Sequence, residues 1–90
     1  MLWLGAGAKG AGVPTAGLLA EGFGMVTSGP GRACVPEDHP KSLGSFNGNL
    51  VPTVQEFYKT CDLMIVVGSR LRGHETADFS VKLPENLIQI

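Results

Sequence analysis

Apolar residues in this chain fall into short runs that are separated by segments rich in glycine and proline. Three runs predict strands of a sheet, at Leu2–Leu4, Met25–Thr27 and Leu63–Val67, and residues 87–90 predict a fourth. The run Leu63–Val67 is five consecutive apolar residues, which is typical of a strand buried on both faces. We therefore expect it at the centre of a parallel sheet.

Two segments between these runs predict helices. Residues 13–21 have Pro14 in the first turn, where its missing N–H is tolerated, and Gly22 at the end. Residues 51–60 carry apolar side chains at the spacing i, i+3, i+4, i+7, which predicts one buried stripe. The stripe comprises Val54, Phe57, Tyr58 and Cys61.

The alternation of strands and helices predicts an α/β three-layer sandwich with a parallel sheet and right-handed crossovers. The strands Leu2–Leu4 and Leu63–Val67 are expected to be neighbours at its centre. Residues 28–43 are predicted to be a loop, and residues 44–48 a glycine-bearing turn. Residues 71–84 are predicted to be irregular, with a short helix about residues 76–79.

Composition and charge exclude several classes of protein. Ninety residues make one small domain, and 43% hydrophobic with 17% charged residues is a globular composition. A net charge of −1 gives no reason to expect a nucleic-acid partner, and no apolar run approaches the ~18 residues of a membrane span. Cys34 and Cys61 form no C-x-x-C motif, so we expect free thiols in a cytoplasmic protein with no bound metal.

The glycines at positions 5, 7 and 10 form a G-x-G-x-x-G pattern between the first strand and the first helix. Glycine in such a turn lets a phosphate approach backbone N–H groups, and the N-terminus of the next helix favours an anion. The same pattern also lets a helix pack closely on a sheet. Phosphate binding and packing therefore both remain open.

A nicotinamide cofactor is disfavoured by the residues at the end of the second strand. An NAD site has an acidic residue there, whereas this chain has Thr27, Ser28 and Gly29. Arg32 is available for the 2′-phosphate of NADP, so an NADP-binding reductase is a further, weaker alternative.

Four segments in this order are typical of one family. They are residues 4–12 (LGAGAKGAG), 31–40 (GRACVPEDHP), 43–44 (LG) and 61–70 (CDLMIVVGSR). Together they resemble the central domain of thiamine diphosphate-dependent enzymes of the acetolactate synthase group, which includes benzoylformate decarboxylase and pyruvate oxidase. The resemblance covers nearly the whole chain.

The resemblance implies a Rossmann-like sheet of six parallel strands. It also implies a parent enzyme of branched-chain amino acid biosynthesis that decarboxylates a 2-oxo acid such as pyruvate and transfers the carbanion to a second carbonyl. In this family thiamine diphosphate and Mg²⁺ are held by the N- and C-terminal domains, and the G-D-G motif of that site does not occur here. We therefore expect residues 1–90 to be a non-catalytic fragment of the central domain. Its expected partners are the catalytic domains of its own chain and further copies in a homo-oligomer.

The resemblance also implies a nucleotide site, because the central domain binds FAD in some members and an adenine nucleotide such as ADP in another. In other members it binds nothing and only bridges the catalytic domains. The positions that match the family's cofactor-binding residues are Gly5, Ala6, Gly7, Gly10, Ser28, Gly29, Gly44, Gly48, Gly68, Ser69, Arg70 and Arg72.

Two departures from the family pattern bear on this site. The relatives have L-G-M-H-G where this chain has LGSFNG at residues 43–48, and they have two aspartates and an arginine at positions 72–74. The chain has Arg72, Gly73 and His74 there, and Arg72 makes the loop more attractive to an anion. FAD, ADP and a purely structural bridging module remain the three alternatives.

Overall fold

The computed structural model describes residues 1–46, 52–73, 75, 76, 78 and 81–90. The described part has two helices, α1 (Gly12–Ala20) and α2 (Pro52–Thr60), and short 3₁₀ turns at Ala6–Ala8 and Gly29–Gly31. Its five strands are β1 (Leu2–Leu4), β2 (Met25–Thr27), β3 (Ser42–Ser45), β4 (Leu63–Val67) and β5 (Asn86–Gln89). No helix in the described ranges is long and apolar enough to cross a membrane.

All strands pair in parallel, in the order β3-β2-β1-β4-β5. Leu2 of β1 lies opposite Met25 of β2 on one side and Ile65 of β4 on the other. The predicted α/β sandwich with β1 and β4 as central neighbours is therefore confirmed. The chain builds outward from β1 through β2 and β3 and then returns to the far side of β1, so the strand order reverses between β1 and β4.

The strand β3 corrects the prediction of a loop over residues 28–43 and a turn from residue 44. Ser42–Ser45 has one large apolar residue, and its Gly44 has a φ of +95°. Such a segment has little strand propensity of its own and acquires its structure by pairing at the edge of the sheet. Its register with β2 shifts between Met25 and Thr27, which is consistent with an irregular edge. The described residues thus contain five strands, where the resemblance implies six.

Each face of the sheet is covered by its own apolar cluster and its own helix. On one face Trp3 packs edge-to-face against Phe46 with ring centroids 4.8 Å apart, and Tyr58 of α2 lies against this cluster. On the other face Leu19 of α1 packs against Leu4 and neighbouring apolar side chains. Because helices lie on both faces, the sheet is buried on both sides at its centre.

The stripe predicted on α2 is only partly buried. Tyr58 and Cys61 contact the core, but Phe57 is 37% exposed, and the side chain of Val54 lies outside the described residues. A Cβ at Gly24 would come within 2.9 Å of the Phe57 ring, so this ring lies over the chain just before β2. Tyr58 and Cys61 therefore face the sheet, whereas Phe57 lies at the margin of the interface between α2 and the sheet. The described members of the helix predicted at residues 76–79, Thr76 and Asp78, lie in turns, and the remainder lies outside the described residues.

Glycine is required where β1 and β4 leave the sheet side by side. A Cβ on Gly5 would lie 2.7 Å from the Cα of Ser69, and a Cβ on Gly7 would lie 2.8 Å from the Cα of Gly68. Gly68 itself has a φ of +65° and faces the backbone of Gly7 and Ala8. The two connections can approach this closely only because these positions lack side chains.

We predict that Gly68→Ala lowers the free energy of unfolding by at least about 3 kcal/mol, because it adds both a backbone overlap and a left-handed alanine. Gly17→Ala is the matched control, since a Cβ at Gly17 meets nothing within 4 Å in the middle of α1. That change should raise the free energy of unfolding by about 0.5–1 kcal/mol. Urea denaturation of both variants measures the difference, and a Gly68→Ala variant as stable as wild type would contradict the packing described.

Tyr58 ties α2 to the segment that leads into β5. Its hydroxyl donates a hydrogen bond of 2.6 Å to the carbonyl oxygen of Lys82. Burial, with a smaller effect from Cys61, raises the pKa of Tyr58 from 10.0 to about 12. The protonated phenol is therefore favoured in the folded state.

We expect Tyr58→Phe to lower the free energy of unfolding by about 1 kcal/mol at neutral pH, through loss of the hydrogen bond. As pH rises from about 10 to about 12, the unfolded chain ionises first, so the stabilisation from Tyr58 is progressively lost. Denaturation curves of both proteins across this window should show the gap between them closing. A gap that stays constant to pH 12 would contradict the raised pKa.

Candidate ligand-binding crevice

A crevice of about 530 Å³ opens at the carboxyl ends of β1 and β4. This is the place where the strand order reverses, and open parallel sheets bind ligands in such a crevice. Other cavities, such as one beside Tyr58 and one beside Asn86, lie at the opposite ends of the strands. The residues that line the crevice are Ala6, Gly7, Pro30, Gly68, Ser69, Arg70, Arg72, Glu75 and Ile90.

The floor of the crevice is backbone that is already hydrogen-bonded. The N–H of Gly5 donates to the carbonyl of Val67 at 2.8 Å, and the N–H of Gly7 donates to the carbonyl of Gly68 at 3.0 Å. These two N–H groups are therefore not available to a phosphate. Within the described residues, no hydrogen bond is donated by the N–H of Ala6, which lines the crevice. A phosphate contact from this loop would therefore come from Ala6.

The first helix does not begin at the glycine loop. The 3₁₀ turn Ala6–Ala8 follows β1, and α1 starts only at Gly12. No residue of α1 lines the crevice. The anion-attracting helix N-terminus that the glycine pattern predicts is therefore displaced from the crevice.

Positive charge in the crevice comes from Arg70 and Arg72. Both side chains are exposed, and neither forms an ion pair within the part of the chain that the structure describes. A guanidinium group offers parallel N–H donors that match a phosphate or a carboxylate. The simple alternative in which Arg70 only pairs with a nearby carboxylate finds no such partner among the described residues.

The crevice also contains a buried acid that the sequence analysis missed. Glu75 is 8% exposed, and its Oε2 accepts hydrogen bonds from the Ser69 hydroxyl at 3.0 Å and from the N–H of Arg72 at 3.1 Å. The Ser69 Oγ in turn accepts from the N–H of Leu71 at 3.0 Å. This network fixes the loop that carries both arginines. A single glutamate in an irregular segment has no spacing pattern that marks it in advance.

The structure brings half of the predicted cofactor-binding residues together in the crevice: Ala6, Gly7, Gly68, Ser69, Arg70 and Arg72. Gly5 lies buried beneath them, and Ser28 is buried with its Oγ accepting from the N–H of Gly31 at 3.2 Å. The crevice lining also does not include Gly10, Gly29 or Gly44, and Gly48 is not among the described residues. Contact of these outlying positions with a ligand stays a prediction.

Arg32 lies outside the crevice lining and is already paired. Its guanidinium contacts both carboxylate oxygens of Glu37, at 3.1 and 3.3 Å, and this hydrogen bonding raises the pKa of Arg32 and lowers that of Glu37. An arginine engaged in this way is poorly placed to hold the 2′-phosphate of NADP. The geometry therefore weakens the NADP alternative.

Cys34 lies behind the glycine loop, where its thiol faces the carbonyl of Gly5 at 3.8 Å. Burial raises the pKa of this thiol, and nearby Lys9 opposes the shift. A raised pKa favours the thiol over the reactive thiolate, so the environment does not activate Cys34 as a nucleophile. Across the described ranges no group of three histidine, cysteine or acidic residues is placed to hold a metal ion.

Comparison with known proteins adds two findings. A family described as "Thiamine pyrophosphate enzyme, central domain" matches residues 1–90. The chain is also similar to the "Probable acetolactate synthase large subunit" of Methanocaldococcus jannaschii, with 33% identity over 55 residues. That similarity covers 61% of this chain and 9% of the relative, so the chain matches only a small part of that protein.

Proposed function

Because the chain belongs to the family of thiamine pyrophosphate enzyme central domains, which matches it over residues 1–90, we propose that its parent protein is an acetolactate synthase-like enzyme. That enzyme decarboxylates a 2-oxo acid such as pyruvate and transfers the resulting carbanion to a second carbonyl. The similarity to an acetolactate synthase large subunit supports this reaction over a simple decarboxylation.

In this proposal the chemistry takes place outside the present chain. Thiamine diphosphate, when bound, supplies the electron sink that stabilises the carbanion, and Mg²⁺ accompanies its diphosphate. The 90 residues contain no G-D-G motif, and the described ones offer no metal-ligand cluster, so neither group fits here. The role of this chain is to join the catalytic domains and to bind a second ligand.

We propose that this second ligand is an adenine nucleotide, FAD or ADP, whose diphosphate lies in the crevice. This proposal rests on Arg70 and Arg72, which line the crevice and form no ion pair with any residue that the structure describes. They would hold the diphosphate through charge-assisted hydrogen bonds, and the N–H of Ala6 would add one from the opposite wall. Ser28 and Gly29 follow β2, and Gly44 lies in β3, so these three positions are on the side of β1 away from β4.

A structural bridging module is the second candidate, and a specific observation favours it. The N–H groups of Gly5 and Gly7 are used to join β1 to β4, so the glycines have a packing role whether or not a ligand binds. Ile88, in the edge strand β5, is 49% exposed, which supports contact with a neighbouring domain or with a second copy in a homo-oligomer.

The nucleotide site is tested on the full-length protein. After denaturation we expect the supernatant to show flavin absorbance near ~450 nm or, for an ADP site, added ADP to raise the melting temperature.

Arg70→Ala should weaken nucleotide binding at least about tenfold, through loss of charge-assisted hydrogen bonds. Arg32→Ala is the matched control and should leave binding unchanged, because Arg32 is paired with Glu37 away from the crevice. A colourless supernatant together with no thermal shift from FAD or ADP would contradict the nucleotide site and favour the structural bridging module.

The reaction is tested separately by following CO₂ release. We expect the full-length protein to release CO₂ from pyruvate or a related 2-oxo acid only when thiamine diphosphate is supplied. Omission of thiamine diphosphate is the control. If no 2-oxo acid is turned over, the acetolactate synthase-like assignment is wrong.

A further inference from the structure

Glu75 places a carboxylate in a crevice that otherwise presents cations. It lines the same cavity as Arg70 and Arg72, and it is 8% exposed. A site built only to bind an anion gains nothing from a carboxylate in its wall, because like charges repel. The position of this acid therefore calls for a separate role.

The two oxygens of the Glu75 carboxylate differ in their hydrogen bonding. Oε2 accepts from the Ser69 hydroxyl at 3.0 Å and from the N–H of Arg72 at 3.1 Å. Oε1 makes no hydrogen bond with any residue that the structure describes. Because Oε1 is also not a buried atom, it is open to solvent in the crevice and can accept a hydrogen bond from a ligand that brings a donor.

We propose that Glu75 determines the specificity of the crevice by accepting a hydrogen bond from a ribose hydroxyl of the bound nucleotide. The inference rests on the proposed function, since it needs a diphosphate held by Arg70 and Arg72. The arginines then select the anion, while Glu75 selects a hydroxylated sugar beside it. A ligand that carries a further negative group at this point is rejected.

The competing role for Glu75 is purely structural, because Oε2 also holds the loop that carries the arginines. Glu75→Gln separates the two roles. The amide oxygen of glutamine can still accept from Ser69 and Arg72, so the loop is retained. The other position becomes an N–H₂ group, which donates and no longer accepts, and the negative charge is gone.

The test measures dissociation constants of the full-length protein for ADP, 2′,3′-dideoxy-ADP and inorganic diphosphate. Wild type should bind ADP about tenfold more tightly than dideoxy-ADP, which is the effect of one charge-assisted hydrogen bond. Glu75→Gln should bind these two ligands about equally, and it should bind inorganic diphosphate several-fold more tightly than wild type because a repulsive charge is removed. A structural role would weaken all three ligands together.

The outcomes distinguish this inference from the proposed function. If wild type binds ADP and dideoxy-ADP equally, the inference is overturned, and this comparison needs no variant to fold. If Glu75→Gln preserves the preference for ADP, Glu75 is only structural and the nucleotide site stands. If wild type binds neither ADP nor diphosphate, the proposed nucleotide site itself fails, and the inference fails with it.

Discussion

The close approach of the two connections that leave β1 and β4 is the constraint on which the rest of this structure depends. Backbone lies directly against backbone there, with the N–H of Gly7 3.0 Å from the carbonyl oxygen of Gly68. No side chain can be inserted at Gly5, Gly7 or Gly68 without overlap. Because backbone hydrogen bonds join these connections, the loop after β4 positions its two arginines where the strand order reverses.

This constraint changes the meaning of the glycine pattern. The pattern is usually taken as a cradle for phosphate, yet here the N–H groups of Gly5 and Gly7 join two strands. In the proposed nucleotide site the glycines therefore act indirectly, because their close packing brings Ala6 into the same crevice as Arg70. In the proposed site, nucleotide recognition comes from the loop after β4, where Arg70 and Arg72 form no ion pair with any described residue.

Sequence reasoning succeeded where a segment is buried on both faces and failed where tertiary contacts decide. The bounds of β1 and β4 follow from uninterrupted apolar runs, which are typical of parallel strands buried on both faces. The edge strand β3 has no such signal, because pairing with β2 creates it. The exposure of Phe57 depends on how α2 rotates against the sheet, and the importance of Glu75 depends on a hydrogen-bond network that forms only after folding.

We propose that the crevice between the connections of β1 and β4 binds the diphosphate of a nucleotide. A crystal structure of the full-length protein grown with ADP tests it most directly. We expect density for the diphosphate between the N–H of Ala6 and the guanidinium of Arg70, with a ribose hydroxyl next to Glu75. A crevice filled by side chains of a neighbouring domain, with ADP absent at saturating concentration, would contradict it.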